Sequence, residues 1–276
     1  LDTLLAIEKG EQYSNQLIRA VLDKYNYLDA RDKAFIKRVT EGTIERQIEL
    51  DYYLDHFSTV PVRKMKPLVR TLLRMSVYQL LYMDAVPDSA VCNEACKLAV
   101  KRKFGNLRGF VNGVLRNLSR NKEQLPLPDE AAEPVRYLSV KYSMPEWLIG
   151  FWLEEYGRKI TATMLKAIMA VHPVSVRFSA RLSEEERELL KGQLAQAGVE
   201  IREGAYLPCL CRLEHVDNIN ALPGFAEGKW TVQDVSSALA VELAGIKNTD
   251  LVLDACAAPG GKSILAAEKA KKVLSR

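Results

Sequence analysis

Long apolar runs are missing from this 276-residue chain. No stretch approaches the ~18 consecutive apolar residues that a bilayer span requires. The N-terminus, Leu1-Asp-Thr-Leu-Leu5, also lacks the basic, apolar and small-residue order of a secretory signal peptide. We therefore expect a cytoplasmic protein with no membrane partner.

Cysteine and histidine are scarce, and neither is spaced for a disulfide framework or a metal. Five cysteines are an odd number, which argues against a disulfide scaffold in a chain without a secretory signal. Cys92 and Cys96 lie four residues apart and Cys209 and Cys211 two apart, whereas zinc sites normally use C-x2-C pairs. Paired small hydrophobic residues in a core are the commoner use, so we expect no metal. The histidines are scattered: His56, His172 and His215.

Strand signals are absent from residues 1–122, where apolar residues recur at helical spacing instead. Leu68, Leu72 and Met75 lie three or four residues apart, on one helix face. A second set with this spacing, Val91, Ala95 and Leu98, follows the capping oxygens of Pro87-Asp88-Ser89. A third set is Phe110, Val114 and Leu118. The sequence predicts a multidomain chain whose first domain is all-α, with five to seven helices.

Three prolines and little periodicity indicate a linker over residues 123–134. Residues 135–212 are then predicted to form a helical and small α+β module. A capping box of Ser183 and Glu186 opens its amphipathic helix. The other predicted elements are helices over 143–157 and 158–171, and strands over 174–178, 199–202 and 206–213.

Residues 213–276 are predicted to begin a Rossmann-like α/β domain. A helix over 238–244 precedes the apolar strand Leu251-Val-Leu253, which leads into a glycine-bearing loop and a helix over 263–274. One strand and one helix cannot bury their own apolar faces. We therefore expect the domain to be incomplete, with the chain ending inside that helix.

The loop Asp254-Ala-Cys-Ala-Ala-Pro-Gly-Gly-Lys-Ser263 has the features of a ligand-binding turn. Glycine lets the backbone approach a ligand closely, and the amides at a helix start face polar groups. A P-loop would need glycine where Cys256 stands, and Pro259 removes an amide from a phosphate nest. The dinucleotide pattern G-x-G-x-x-G is also missing. A purely structural Gly-Gly turn remains the alternative.

Acidic residues are absent from Lys97 to Arg120, a segment with seven Lys or Arg. Such a segment can neutralise phosphates and supply salt-sensitive affinity for nucleic acid. A solvated helix face is an equally good explanation of charge alone. The candidate RNA contacts are Lys101, Arg102, Lys103, Arg108 and Arg116.

The loop resembles the cofactor motif of the RNA 5-methylcytosine methyltransferases, in which Cys-Ala-Ala-Pro-Gly-Gly-Lys wraps S-adenosyl-L-methionine. The segment 227–237 is similar to the one that precedes the core in that family. The resemblance implies S-adenosyl-L-methionine as the cofactor. The residues that match without a change are Cys256, Ala257, Ala258, Pro259, Gly260, Gly261 and Lys262.

The first domain resembles the RNA-binding fold of the antitermination factor NusB, through residues 72–81, 86–95 and 109–116. A NusB-like domain joined to this motif is similar to the bacterial 16S rRNA (cytosine-C5) methyltransferases. The pairing implies 16S rRNA as the partner, and we expect a monomer. The alternative is a non-catalytic NusB-like module for RNA binding or antitermination.

The implied chemistry needs a thiolate that adds to C6 of a cytosine flipped from its stack, so that C5 can accept the methyl group. The family carries this nucleophile in Pro-Cys and Thr-Cys motifs after the glycine loop, and neither motif occurs between that loop and Arg276. We therefore assign no catalytic residue here, expect the nucleophile beyond Arg276, and expect this chain alone to be inactive. Pro208-Cys209 precedes the loop and is not favoured.

Overall fold

A computed structural model describes residues 1–10, 13–170, 173–204, 206–214, 216 and 219–276. His172 and His215 lie outside the described residues. The chain divides into two compact units, Leu1–Ala170 and Val171–Arg276. Among the described residues, no helix is long and apolar enough to cross a membrane.

The first unit is helical wherever it forms regular structure in its described part. Seven α-helices precede the proline-containing segment, which confirms the predicted all-α start. They are α1 (Asp2–Glu8), α2 (Ser14–Lys24), α3 (Ala30–Glu45), α4 (Gln47–Phe57), α5 (Pro67–Tyr82), α6 (Asp88–Lys101) and α7 (Arg108–Arg120).

The core of this unit forms around α5. Leu72, Leu73 and Val77 are fully buried there, whereas of the predicted face Leu72 is buried and Leu68 and Met75 are only partly buried. Helix α3 approaches α5 so closely that a Cβ on Gly42 would lie 2.0 Å from the Tyr78 ring. Any larger residue at that contact would have to displace the Tyr78 ring.

Helix α6 begins without the side-chain cap that its sequence predicts. Pro87 occupies the N-cap position, and no side chain there accepts a capping hydrogen bond. The Asp88 carboxylate instead accepts from the Ser119 hydroxyl at 2.7 Å and from the Lys122 Nζ at 3.0 Å. The Asp88 carboxylate, which was expected to cap α6, therefore forms tertiary hydrogen bonds with residues at the end of α7 instead.

Glu49 on α4 is a buried carboxylate, 6% exposed. It accepts hydrogen bonds from the Tyr53 hydroxyl at 3.2 Å and the Tyr82 hydroxyl at 2.6 Å, and Arg46 Nη1 lies 3.4 Å away. Burial raises the pKa of Glu49, because desolvation outweighs these contacts.

Two more helices complete the first unit: α8 (Pro134–Tyr142) and α9 (Glu146–Met169). The sequence did not predict α8. Gly157 has φ 71° and interrupts α9, at the point where the sequence divides one helix from the next. The Ser143 hydroxyl accepts from the Ile48 N–H at 3.1 Å, which ties this pair to α4. Both helices therefore belong to the first unit, whereas the sequence analysis assigned residues from 135 onward to the α+β module.

The second unit contains a four-stranded antiparallel sheet with the order β2-β3-β1-β4. Helix α10 lies between β1 and β2 in the chain, and both hydrogen bonds of its predicted capping box form. The fourth strand was not predicted. The elements are β1 (Val174–Phe178), α10 (Glu184–Gln196), β2 (Glu200–Glu203), β3 (Leu210–Glu214) and β4 (Trp230–Val232).

The rest of the second unit is a helix followed by a parallel β-α-β unit. Its elements are α11 (Val235–Leu243), β5 (Leu251–Asp254), α12 (Gly261–Ala267) and β6 (Lys272–Ser275). The predicted helix over 263–274 is wrong in its second half, because the chain leaves α12 after Ala267. β6 pairs in parallel with β5, with Val252 opposite Val273. The backbone groups of β6 therefore hydrogen-bond to β5, a partner distant in the chain that a local helix preference does not take into account.

Candidate functional site

The glycine loop connects the end of β5 to the start of α12. Gly260 precedes the first helical residue with φ 106°, a conformation that residues with a Cβ rarely adopt. Its N–H donates to the Ala257 carbonyl at 2.6 Å and closes a tight turn. The peptide bond between Ala258 and Pro259 is cis. The sequence predicts a sharp turn at this point, and the backbone forms one.

Asp254 holds the two sides of the loop together. One carboxylate oxygen accepts from the Cys256 N–H at 3.1 Å, and the other accepts from the Ser263 hydroxyl at 2.7 Å. Ser263 is buried on α12, whereas Cys256 is exposed at the start of the loop. The last residue of β5 thus fixes the loop through its own side chain.

The outer side of the loop is open. Pro259 is exposed, and no atom lies within 4 Å of the position that a Cβ on Gly260 would take. A ligand can therefore approach the backbone directly at this glycine. The seven predicted cofactor residues lie together in this one loop and the first turn of α12.

Cys209 lies in apolar surroundings in the second unit. It is partly buried and packs against the cluster that contains Leu265 and Ala266 of α12. Cys211 on β3 is buried, and burial raises the pKa of its thiol. The raised pKa disfavours the thiolate of Cys211 that nucleophilic attack needs, and the apolar contacts of Cys209 suit packing.

A cleft of about 760 Å³ between α6 and α7 collects basic side chains in the first unit. Three of the five predicted RNA contacts line it: Lys101, Arg108 and Arg116. Lys97 lines it as well. No acidic residue belongs to the described lining, although the Lys97 Nζ lies 2.7 Å from Glu94 on the same helix.

The other two predicted contacts lie outside the lining of this cleft. Arg102 donates to the Asp2 carboxylate, at 2.5 Å for one oxygen. Lys103 follows the end of α6 with φ 64° and is exposed. The prediction from charge therefore combined residues that face different surroundings.

Two asparagines in the cleft were missed by the sequence analysis. Asn93 extends the row of Lys97 and Lys101 on α6 at four-residue steps, and Asn112 stands midway between Arg108 and Arg116 on α7. Its side-chain oxygen accepts from Arg116 Nε at 3.0 Å. Residues four apart share a helix face, so this spacing was the available signal.

The NusB family model matches residues 1–120, so the helical first part of this chain is a NusB-family domain. The crystal structure of PH0851 superposes on the chain with a TM-score of 0.70 at 22% identity, covering 99% of this chain and 61% of that one. That similarity shows that the two chains share a fold.

Three curated relatives align with nearly the whole chain. The probable ribosomal RNA small subunit methyltransferase B of Bacillus subtilis is 35% identical over 273 residues, covering 98% of this chain and 59% of that protein. The probable ribosomal RNA small subunit methyltransferase B of Synechocystis sp. is 31% identical, covering 95% of this chain and 58% of that protein. Ribosomal RNA small subunit methyltransferase B of Escherichia coli O9:H4 is 30% identical, covering 93% and 57%.

The chain is thus similar over nearly its whole length to ribosomal RNA small subunit methyltransferase B, and its first 120 residues match the NusB family. It spans less than two thirds of the length of the three relatives.

Proposed function

We propose that this chain supplies an S-adenosyl-L-methionine site and an RNA-binding surface for C5-methylation of a cytosine in 16S rRNA. The observation that carries the proposal is the Cys256–Lys262 loop, placed between a parallel strand and a helix in a chain with a NusB-family domain. The parallel β5-α12-β6 unit supports our assignment of this part to the start of a Rossmann-like domain.

The loop suits the proposed cofactor in two respects. Gly260 leaves open space against the backbone, and Asp254 fixes the loop through two hydrogen bonds. When bound, S-adenosyl-L-methionine supplies an electrophilic methyl group. Residues Cys256–Lys262 would hold it, and we assign Cys256 to lining the site rather than to attack on the base.

The cleft between α6 and α7 supports RNA as the partner. Four cations line it without an acidic residue in the described lining, and such a surface gains affinity by displacing counterions from phosphates. This cleft is also the observation that favours the second candidate, a NusB-like module that binds RNA without catalysis.

Cofactor binding separates the two candidates. Isothermal titration of the chain with S-adenosyl-L-methionine should show saturable binding if the proposal holds, and this measurement needs no nucleophile. RNA binding without cofactor binding would instead favour the non-catalytic module. Incubation with methyl-labelled cofactor and unmodified 16S rRNA, followed by nucleoside analysis, then tests whether the product is 5-methylcytidine and whether the residues present suffice for turnover.

A further inference from the structure

Gln233 connects the four-stranded sheet to the first residue of α12 in the second unit. It directly follows β4 and is 4% exposed. Its backbone N–H donates to the Ser175 carbonyl at 3.0 Å, and its side-chain Nε2 donates to the Gly261 carbonyl at 3.2 Å. This side chain therefore connects the end of the sheet to the first residue of α12.

Arg177 determines which way the Gln233 amide points. It lies on β1, is 2% exposed, and its Nε donates to Gln233 Oε1 at 2.6 Å. A guanidinium has donors and no acceptor. The amide oxygen must therefore face Arg177, which leaves the amide NH2 to face the Gly261 carbonyl.

Arg177 also holds the other end of α12. Its Nη1 donates to both carboxylate oxygens of Glu268, at 2.8 and 2.6 Å, and Glu268 is the C-cap residue of that helix. A buried ion pair persists when both partners are satisfied, as they are here. Gln233 and Arg177 thus fix the seven-residue helix at its first residue and at its end.

We propose that Gln233 is a positioning residue for the glycine loop. By holding the Gly261 carbonyl, it sets the first turn of α12 and hence the backbone that Gly260, Gly261 and Lys262 present to a ligand. This inference rests on the proposed function for the identity of that ligand, and on the contacts of Gln233 for the positioning itself.

The isosteric variant Gln233→Glu tests the positioning. It keeps an oxygen for Arg177 but places a second oxygen against the Gly261 carbonyl, where the donor was. We expect faster amide hydrogen exchange over residues 255–262 in the ligand-free chain, and a dissociation constant for S-adenosyl-L-methionine raised about ten-fold. Glu242→Gln is the matched control, because it removes the pair with Lys269 (2.8 Å) at the far end of α12 and should change neither quantity.

Loop exchange and cofactor affinity equal to those of the unmodified chain would overturn the proposal, as would exchange that rises equally throughout the second unit. If the unmodified chain itself does not bind the cofactor, the proposed function fails, while the exchange comparison still decides the role of Gln233. Should Gln233→Glu not fold, Gln233→Met replaces it and is judged by the same two measurements.

Discussion

At the scale of single residues, Gly260 gives the clearest prediction. Its φ of 106° disfavours any residue with a Cβ, although no atom lies within 4 Å of where that Cβ would be. Gly260→Ala should therefore destabilise the second unit by about 1 kcal/mol through backbone strain alone. Urea denaturation followed by tryptophan fluorescence measures this change in a background of Trp147→Phe and Trp152→Phe, where Trp230 is the remaining tryptophan.

Gly113→Ala is the matched control for that variant. Gly113 lies inside α7, has open space around its own Cβ position and is not in the left-handed region. The added methyl group should stabilise the first unit by about 0.5–1 kcal/mol. Changes of the same sign at the two glycines would contradict the strain argument.

Glu49 should make the stability of the first unit depend on pH. Burial raises its pKa above 4.5, so the folded chain keeps the proton at pH values where the unfolded chain has lost it. This contribution is complete below the unfolded pKa and is lost as pH rises through the folded one.

Glu49→Gln cannot titrate, and so it provides the comparison. The stability of this variant should improve relative to the unmodified chain as pH rises through that window. Urea unfolding at several values between about pH 4 and pH 8 measures the difference. A difference that is constant across the series would argue against a raised pKa.

At the scale of elements, the cleft between α6 and α7 should govern RNA affinity. Replacement of Lys101, Arg108 and Arg116 by Glu should weaken binding of 16S rRNA fragments. The salt slope should fall by about 0.7 for each phosphate that the variant no longer neutralises. Filter binding across a salt series measures both quantities.

The control for the cleft applies the same change of charge elsewhere in the first unit. Arg19, Arg31 and Lys37 do not line the cleft. Their replacement by Glu should cost less affinity than the cleft variant. Equal reductions would show that net charge, rather than this cleft, drives binding.

The element predictions were best where a local pattern of apolar residues is present. Helices α5, α6 and α7 run for 13 to 16 residues and repeat their apolar positions several times, so the sequence defines them. Strands β4 and β6 have three and four residues and depend on partners distant in the chain. β5 is as short as β6 and was predicted from its apolar run, whereas β4 and β6 were missed because they depend on those distant partners.

At the scale of the whole molecule, the two units should fold separately. Each has its own hydrophobic clusters, and the chain divides after Ala170. Residues 1–170 expressed alone should therefore show a helical circular dichroism spectrum and a single cooperative thermal transition. A chain of those residues that remained unfolded would contradict the division.

Only part of the candidate site could be predicted from the sequence. The glycine loop is contiguous, so its motif and its turn are visible in one short segment. Gln233 is 28 residues from Gly261, and Arg177 is 91 residues from Glu268. Only the folded chain brings such groups together, and the sequence analysis therefore found the loop but not the side chains that support it.

The Asp2 carboxylate already accepts hydrogen bonds from the Arg102 guanidinium, as a nucleic acid phosphate would. An RNA strand that reached this arginine would have to displace a carboxylate, so one ion pair would be exchanged for another with little net gain. Binding of RNA to Arg102 would therefore also release the start of the N-terminal helix α1 from the end of α6.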